Sequence, residues 1–380
     1  MAALLRRNLS VLVISVAAAF ASRFFVLFAG RPDFVGWFNH SPYFWVQTRS
    51  LIEGNGLAYG DMPLLFALYA SLAKIISMAG IQIEPAIIMA SRLVMISAPA
   101  LIPIPVYLLA NGAAGNTRLS WPAKWLVLAS GFLPLTFANM PEHLQKNMMG
   151  LLLLALSFLA LFEWLRGRKV GQLALLVLLV VATCLAHLGS ALAALLLIAA
   201  LTFDVLLRRA SLADLIRIGV LCIAVATAVS LGIRTFDPAA AERVHALLTA
   251  FIPGSLGDSL IFVVVVGTWT GLLLVIYRWF SRRTAEKSAA IVTLGRTTVL
   301  WLGLLSIPLW PGEIGIRLML FMPLGVVVLL ILFLATFPER RLVRYAAAAT
   351  TLVFALMSVG EAISTLISYP DKEETSRQLA

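Results

Sequence analysis

Two stretches of this chain concentrate side chains that can do chemistry. "RPDFVGWFNHSPYFWVQTRSLIEGNGLAYGDMPLLF" carries Asp33, His40 and Asp61, and "ANMPEHLQKNMMG" carries Glu142, His143 and Lys146. Farther apart lie Arg92 in "MASRLVM", His187 in "TCLAHLGS", and Glu313 with Arg317 in "LWPGEIGIRLML". A carboxylate such as Asp33, Asp61 or Glu142 suits a general base or a charge stabiliser for an acceptor. Lys146, Arg92 and Arg317 suit a phosphate, as cations at an anion site. Glu142, His143 and His187 offer oxygen and imidazole ligands for a divalent ion, which would neutralise a leaving phosphate in the same way. Each residue also has a plainer reading. Asp61 fits a cap for the helix that begins at Pro63. Glu142 fits a solvated helix start, where an acid favours the dipole. His187 fits a hydrogen-bonded helix end, and Lys146 and Arg317 fit headgroup anchors. Arg49 and Glu53 have the spacing of a helical ion pair. Trp37, Phe38, Tyr43, Phe44 and Trp45 look more like interfacial anchors than sugar-stacking rings.

The elements that must position these groups are apolar. The 380 residues are 61% hydrophobic and 12% charged, too greasy for a soluble domain to hide. Apolar runs of about 18–25 residues predict an all-α polytopic membrane protein rather than a barrel of short alternating strands. The net charge of +11 does not point to nucleic acid, because the basic residues fall in short runs between apolar segments. Cys184 and Cys222 lie inside apolar runs without metal-ligand spacing. "MAALLRRNLSVLVISVAAAFASR" imitates a signal peptide, but the apolar run resumes at once, so a retained first helix is the reading taken.

Orientation follows from the arginines and lysines. If every apolar run crosses, "RGRK", "RR", "RWFSRR" and "ERRLVR" fall on the side opposite to Arg6 and Arg7. Keeping the short run Pro63–Ala79 at the outer surface removes the conflict and leaves about eleven crossings, with the N-terminus cytoplasmic. Glu142, Asp61 and the four histidines, His40, His143, His187 and His245, then share the outer face. A single transmembrane domain is expected over 1–360, with a first outer loop at 31–85, a polar tail at 361–380 and no large soluble domain. No repeat of a transporter kind is evident.

On these segments the chain resembles the GT-C superfamily of membrane glycosyltransferases, which includes catalytic subunits of oligosaccharyltransferase. "FNHSPYFWVQTRSLIEGNGLAY" is similar to that group's first-loop motif, and "YGDMPLLFALYASLAKI" to its Pro-Pro-Leu helix with Met62 in place of one proline. "LASGFLPLTFANMPEHLQKNMMG" resembles the approach to its second acidic motif, and "GIRLMLFMPLG" its late arginine helix. The resemblance covers about the first 200 residues and a patch near 312–325. It implies jaw helices in the first outer loop, a polyprenyl-phosphate or -diphosphate sugar donor, and an acceptor glycan, lipid or protein. It also implies a divalent metal such as Mg or Mn, and the outer face of a bacterial plasma membrane, with a partner subunit as an option. The chain departs from the family at Asn39-His40, where a catalytic Asp is expected. Asp33 or Asp61 would have to supply the carboxylate, or His40 take its role. The alternative is an inactive relative serving as a scaffold or lipid-binding subunit.

Overall fold

The computed structural model describes residues 9–28, 41–59, 61–115, 118–133, 145–209, 256–282, 288–306, 318–337 and 340–367. Asp33, His40, Glu142, His143, Arg317, His245 and the apolar run 215–233 lie outside the described residues. The elements are α1 (Leu9–Phe28), α2 (Ser41–Ile52), α3 (Leu64–Met78), α4 (Ile83–Ala100), α5 (Pro103–Ala114), α6 (Trp121–Ser130) and α7 (Gln145–Gly167). There follow α8 (Val170–Ala186), α9 (Leu188–Arg209), α10 (Leu256–Arg282), α11 (Ala289–Leu305), α12 (Met322–Thr336) and α13 (Arg341–Ile367). No strand occurs among the described residues.

Among the described residues, three helical stretches are long and apolar enough to cross a membrane: Ile83–Ala114, Lys146–Gly167 and Leu188–Arg208. Leu64–Met78, Val170–Ala186, Ala289–Leu305 and Met322–Thr336 are apolar but shorter. At 1.5 Å per residue, the 15 residues of α3 reach only about 22 Å, short of a hydrocarbon core of roughly 30 Å. The outward faces fit lipid better than water. On α8, Val170 is 83% and Leu178 63% exposed, and α13 leaves Leu342, Leu352 and Leu356 exposed. Such a run of apolar surface is foreign to a soluble monomer.

The chain forms two compact units, Met1–Ala194 with Pro323–Ala380, and Leu195–Met322. In the first, α7 and α8 form an antiparallel hairpin through Gly167 and Arg168, the latter at φ +52°. α3 lies against α2 and α4, and α1 packs on α4, α5 and α6. The proline-rich stretch breaks the long apolar run between α4 and α5. Pro103 and Pro105 have no N–H and crowd the carbonyls four residues back, so the ladder lapses into i→i+3 bonds such as Ile102 N to Pro99 O at 3.2 Å. Small residues then let helices approach: a Cβ on Gly112 would meet Phe162 at 2.7 Å, and one on Gly150 would meet Ser190 Cβ at 2.3 Å. In the second unit, α10 packs on α11.

Arg23 is one of the charged residues that sit inside an apolar run. It is 4% exposed, and its guanidinium donates to Ala19 O at 2.7 Å and Gly131 O at 2.5 Å. Gly131 ends α6, where unsatisfied carbonyls favour a cation. Arg23 therefore ties α1 to the end of α6.

Candidate functional site

The site is built on the turn that brings the chain back from α2 to α3. "EGNG" permits that turn, because Gly54 at φ +82° and Gly56 at φ +74° occupy backbone that L side chains avoid. Gln47 on α2 then clamps the returning strand of chain. Its Nε2 donates to Tyr59 O at 3.0 Å, and Tyr59 N donates to its Oε1 at 3.0 Å. Gln47 is fully buried, so both bonds form where water cannot replace them. Its Nε2 also reaches the Tyr43 hydroxyl at 3.1 Å, and the rings of Tyr43 and Tyr59 stack at 5.9 Å. This clamp delivers Asp61 to Tyr43. Gln47→Leu should strip both partners from the Tyr59 backbone at a cost of about 2–3 kcal/mol. Hydrogen exchange of residues 53–62 measures the result, and protection equal to wild type would rule the clamp out.

Asp61 accepts the Tyr43 hydroxyl and the Lys146 ammonium, and its Oδ1 accepts Met62 N at 2.7 Å. Lys146 comes from the first turn of α7, 85 residues further along the chain. Its Nζ lies 5.1 Å from the ring centre of Tyr43, 5.2 Å from Phe66 and 5.8 Å from Phe44. The ammonium thus sits in an aromatic box closed by one carboxylate, with side-chain exposures of 13% for Lys146 and 17% for Asp61. Burial would push the Asp61 carboxyl up. The hydrogen bonds from Lys146, Tyr43 and Met62 N, with the charge of Lys146, outweigh burial and hold it below the ordinary carboxylate range. Burial and the bond to Asp61 push the Tyr43 phenol up to about 12, so it stays protonated and donates.

This arrangement corrects two readings of the sequence. Asp61 does not cap α3: Pro63 holds the cap position without a side-chain bond, and the carboxylate turns to Lys146 instead. Tyr43 and Phe44 are not interfacial anchors, since Phe44 is 6% exposed and both rings pack on Phe66 around the ammonium. A buried cation needs polarisable neighbours more than these rings need the interface. Arg49 and Glu53 do pair, at 2.7 Å, and Arg49 also reaches Glu84 in the first turn of α4 at 2.6 Å.

No family model, curated protein or solved structure matches this chain.

His187 ends α8, and its Nδ1 accepts Gly189 N at 2.8 Å. The helix-end reading of this residue therefore holds. Accepting at Nδ1 places the proton of the neutral ring on Nε2. A Cβ on Gly189 would lie 3.1 Å from His187 Nδ1 and 3.5 Å from Asn147 Oδ1, so the imidazole and the Asn147 amide flank one glycine. Asn147 is fully buried beside Lys146, and neither of its amide atoms has a hydrogen-bond partner among the described residues. Sequence reading passed over Asn147 and Gln47, because a neutral amide carries no charge pattern to notice. Arg92 lies partly buried on α4 and is not among the partners of Asp61. No group of three His, Cys, Asp or Glu meets among the described residues. A metal at the expected Glu142, His143 and His187 would meet this imidazole at Nε2.

Proposed function

We propose that the chain is a GT-C-like membrane glycosyltransferase. It moves a sugar from a polyprenyl-phosphate or -diphosphate carrier to an acceptor at the outer membrane face. The reading rests on the likeness of its motifs, and one observation supports it. Asp61, one candidate for the carboxylate that likeness expects in the first loop, and Lys146, a candidate phosphate cation by residue type, meet in one half-buried ion pair. In this scheme α2 and α3 are the jaw helices, and eleven crossings frame them.

The pair has a chemical use. Transfer breaks the bond from the anomeric carbon to the carrier phosphate and forms one to the acceptor nucleophile, which gives up a proton. Lys146 drawn from Asp61 to the carrier phosphate neutralises the leaving group. Asp61, no longer covered by the ammonium, regains basicity and orients or deprotonates the acceptor. Asn147, the next residue of α7, can donate to phosphate or sugar oxygens. A Mg or Mn ion held by Glu142, His143 and His187 would add charge at the leaving phosphate when bound.

A second reading has its own observation, Asn39-His40 in place of the expected acid. A relative without that acid would bind the carrier and not turn over, as a scaffold in a glycan-assembly complex. Radiolabelled polyprenyl-phosphate sugars incubated with wild type, Asp61→Asn, Lys146→Met and Glu142→Ala separate the two. Transfer by wild type with losses of roughly 100-fold in the Asp61 and Lys146 variants is the expected result. Carrier binding without transfer assigns the scaffold, and transfer unchanged in all three variants removes the site.

A further inference from the structure

The second unit buries charge that the reaction above does not use. Asp204 on α9 is fully buried. Its Oδ2 lies 2.6 Å from Arg208 Nη2, and its Oδ1 accepts the Tyr277 hydroxyl at 3.1 Å. Arg296 Nε stands 2.9 Å from the same Oδ1. One carboxylate thus ties α9, α10 and α11 together. The charges do not cancel, because two guanidiniums face one carboxylate and a neutral phenol. Arg296 is 2% exposed, and its Nη2 has no hydrogen-bond partner among the described residues. Its Nε–H is also turned off the 2.9 Å line, so that contact is one of charge rather than an aligned bond.

A surplus buried guanidinium is costly unless an anion meets it. The planar fork of arginine matches phosphate oxygens in pairs. The cluster sits where α9 and α10 end, and access is present there: the Arg208 side chain is 41% exposed, and Arg278 and Arg282 are exposed on the last turns of α10. By the basic-residue bias of the sequence this end is the cytoplasmic one. We propose that Arg296 and Arg208 bind a phosphate anion at this end of the helices, supplied by a lipid headgroup or by free phosphate. The site is independent of the glycosyl-transfer reading.

The test uses the full chain in phosphatidylcholine nanodiscs, in two arms. In the first, a minor share of phosphatidylglycerol is added, and the lipid retained after repurification is quantified. In the second, inorganic phosphate is added to neutral discs, and the melting temperature is read. A lipid source gives phosphatidylglycerol retained ~5-fold above its bulk share. A free-phosphate source gives a phosphate-dependent rise in melting temperature without that retention. In either arm Arg296→Met should abolish the effect, since it leaves Asp204 and Arg208 as a balanced pair. Arg282→Gln, at the exposed end of α10, should keep it. If Arg296→Met does not fold, Arg208→Gln takes its place and should weaken the effect. No effect in either arm overturns the proposal and points to a carboxylate of the chain itself as the counter-ion. An effect unchanged in the Arg296 and Arg208 variants, or lost equally in Arg282→Gln, also overturns it.

Discussion

Asp61→Asn is expected to destabilise the first unit by about 2–3 kcal/mol, more than Lys146→Met, and the double variant to lose less than the sum. The asymmetry comes from what each change leaves behind. Without the carboxylate, an ammonium 13% exposed is left, among the described residues, with three aromatic faces and a neutral amide. Without the ammonium, Asp61 still accepts Tyr43 and the Met62 N–H, and a methionine fills the space of the lysine stem. Removing both takes away the unpaired charge, so the cycle should show a coupling of about 1.5–2 kcal/mol. The pH dependence follows with a definite sign. A carboxyl whose folded pKa is depressed adds stability above its unfolded value of about 3.9, and loses it as the pH falls through the folded value. Wild type should therefore exceed Asp61→Asn by a constant margin from about pH 5 to 7 and converge on it in acid. Thermal melting across that range measures both effects, and a margin that grows toward acid pH would contradict the pairing.

Gly150→Ala should cost about 2–3 kcal/mol, a large effect for a single methyl group. The added Cβ would fall 2.3 Å from Ser190 Cβ and 2.4 Å from its Oγ. Ser190 cannot swing aside cheaply, because it is fully buried and its Oγ donates to His187 O at 2.9 Å. The start of α9 must then move off α7, carrying His187 and Gly189 away from Asn147. Gly150→Ala combined with Ser190→Gly should recover most of the loss. Gly171→Ala is the control, since nothing lies within 4 Å of its added Cβ and a helical alanine gains about 0.5–1 kcal/mol over glycine. Equal melting of the Gly150 and Gly171 variants would show that α7 and α9 are not in close approach.

Helix content and lipid-facing surface could be read from the sequence, because hydrophobic run length is a local property that each segment carries alone. The exposed leucines and valines of α8 and α13 bear this out. The shortness of α3 was legible in Pro63 and Gly80, which punctuate it. Arg49 with Glu53 was legible for the same reason, since helical spacing fixes the neighbour. Asp204 with Arg208 has that spacing too, and it was overlooked beside the run of basic residues that follows.

The sequence by itself therefore determined an apolar, helical chain whose polar groups gather in a few short segments. It also supplied both Asp61 and Lys146 as candidates, from residue type and motif likeness. Only the tertiary structure decided that these two meet, that Tyr43 and Phe44 turn inward to box the ammonium, and that Asp61 leaves its capping place to do so. It likewise decided that Arg296 shares Asp204 with Arg208. The physical reason is common to all of these. A charge in an apolar surrounding is stabilised only by the particular groups that reach it. Which groups reach it depends on helix crossings such as that at Gly150, set by packing between residues far apart in the chain.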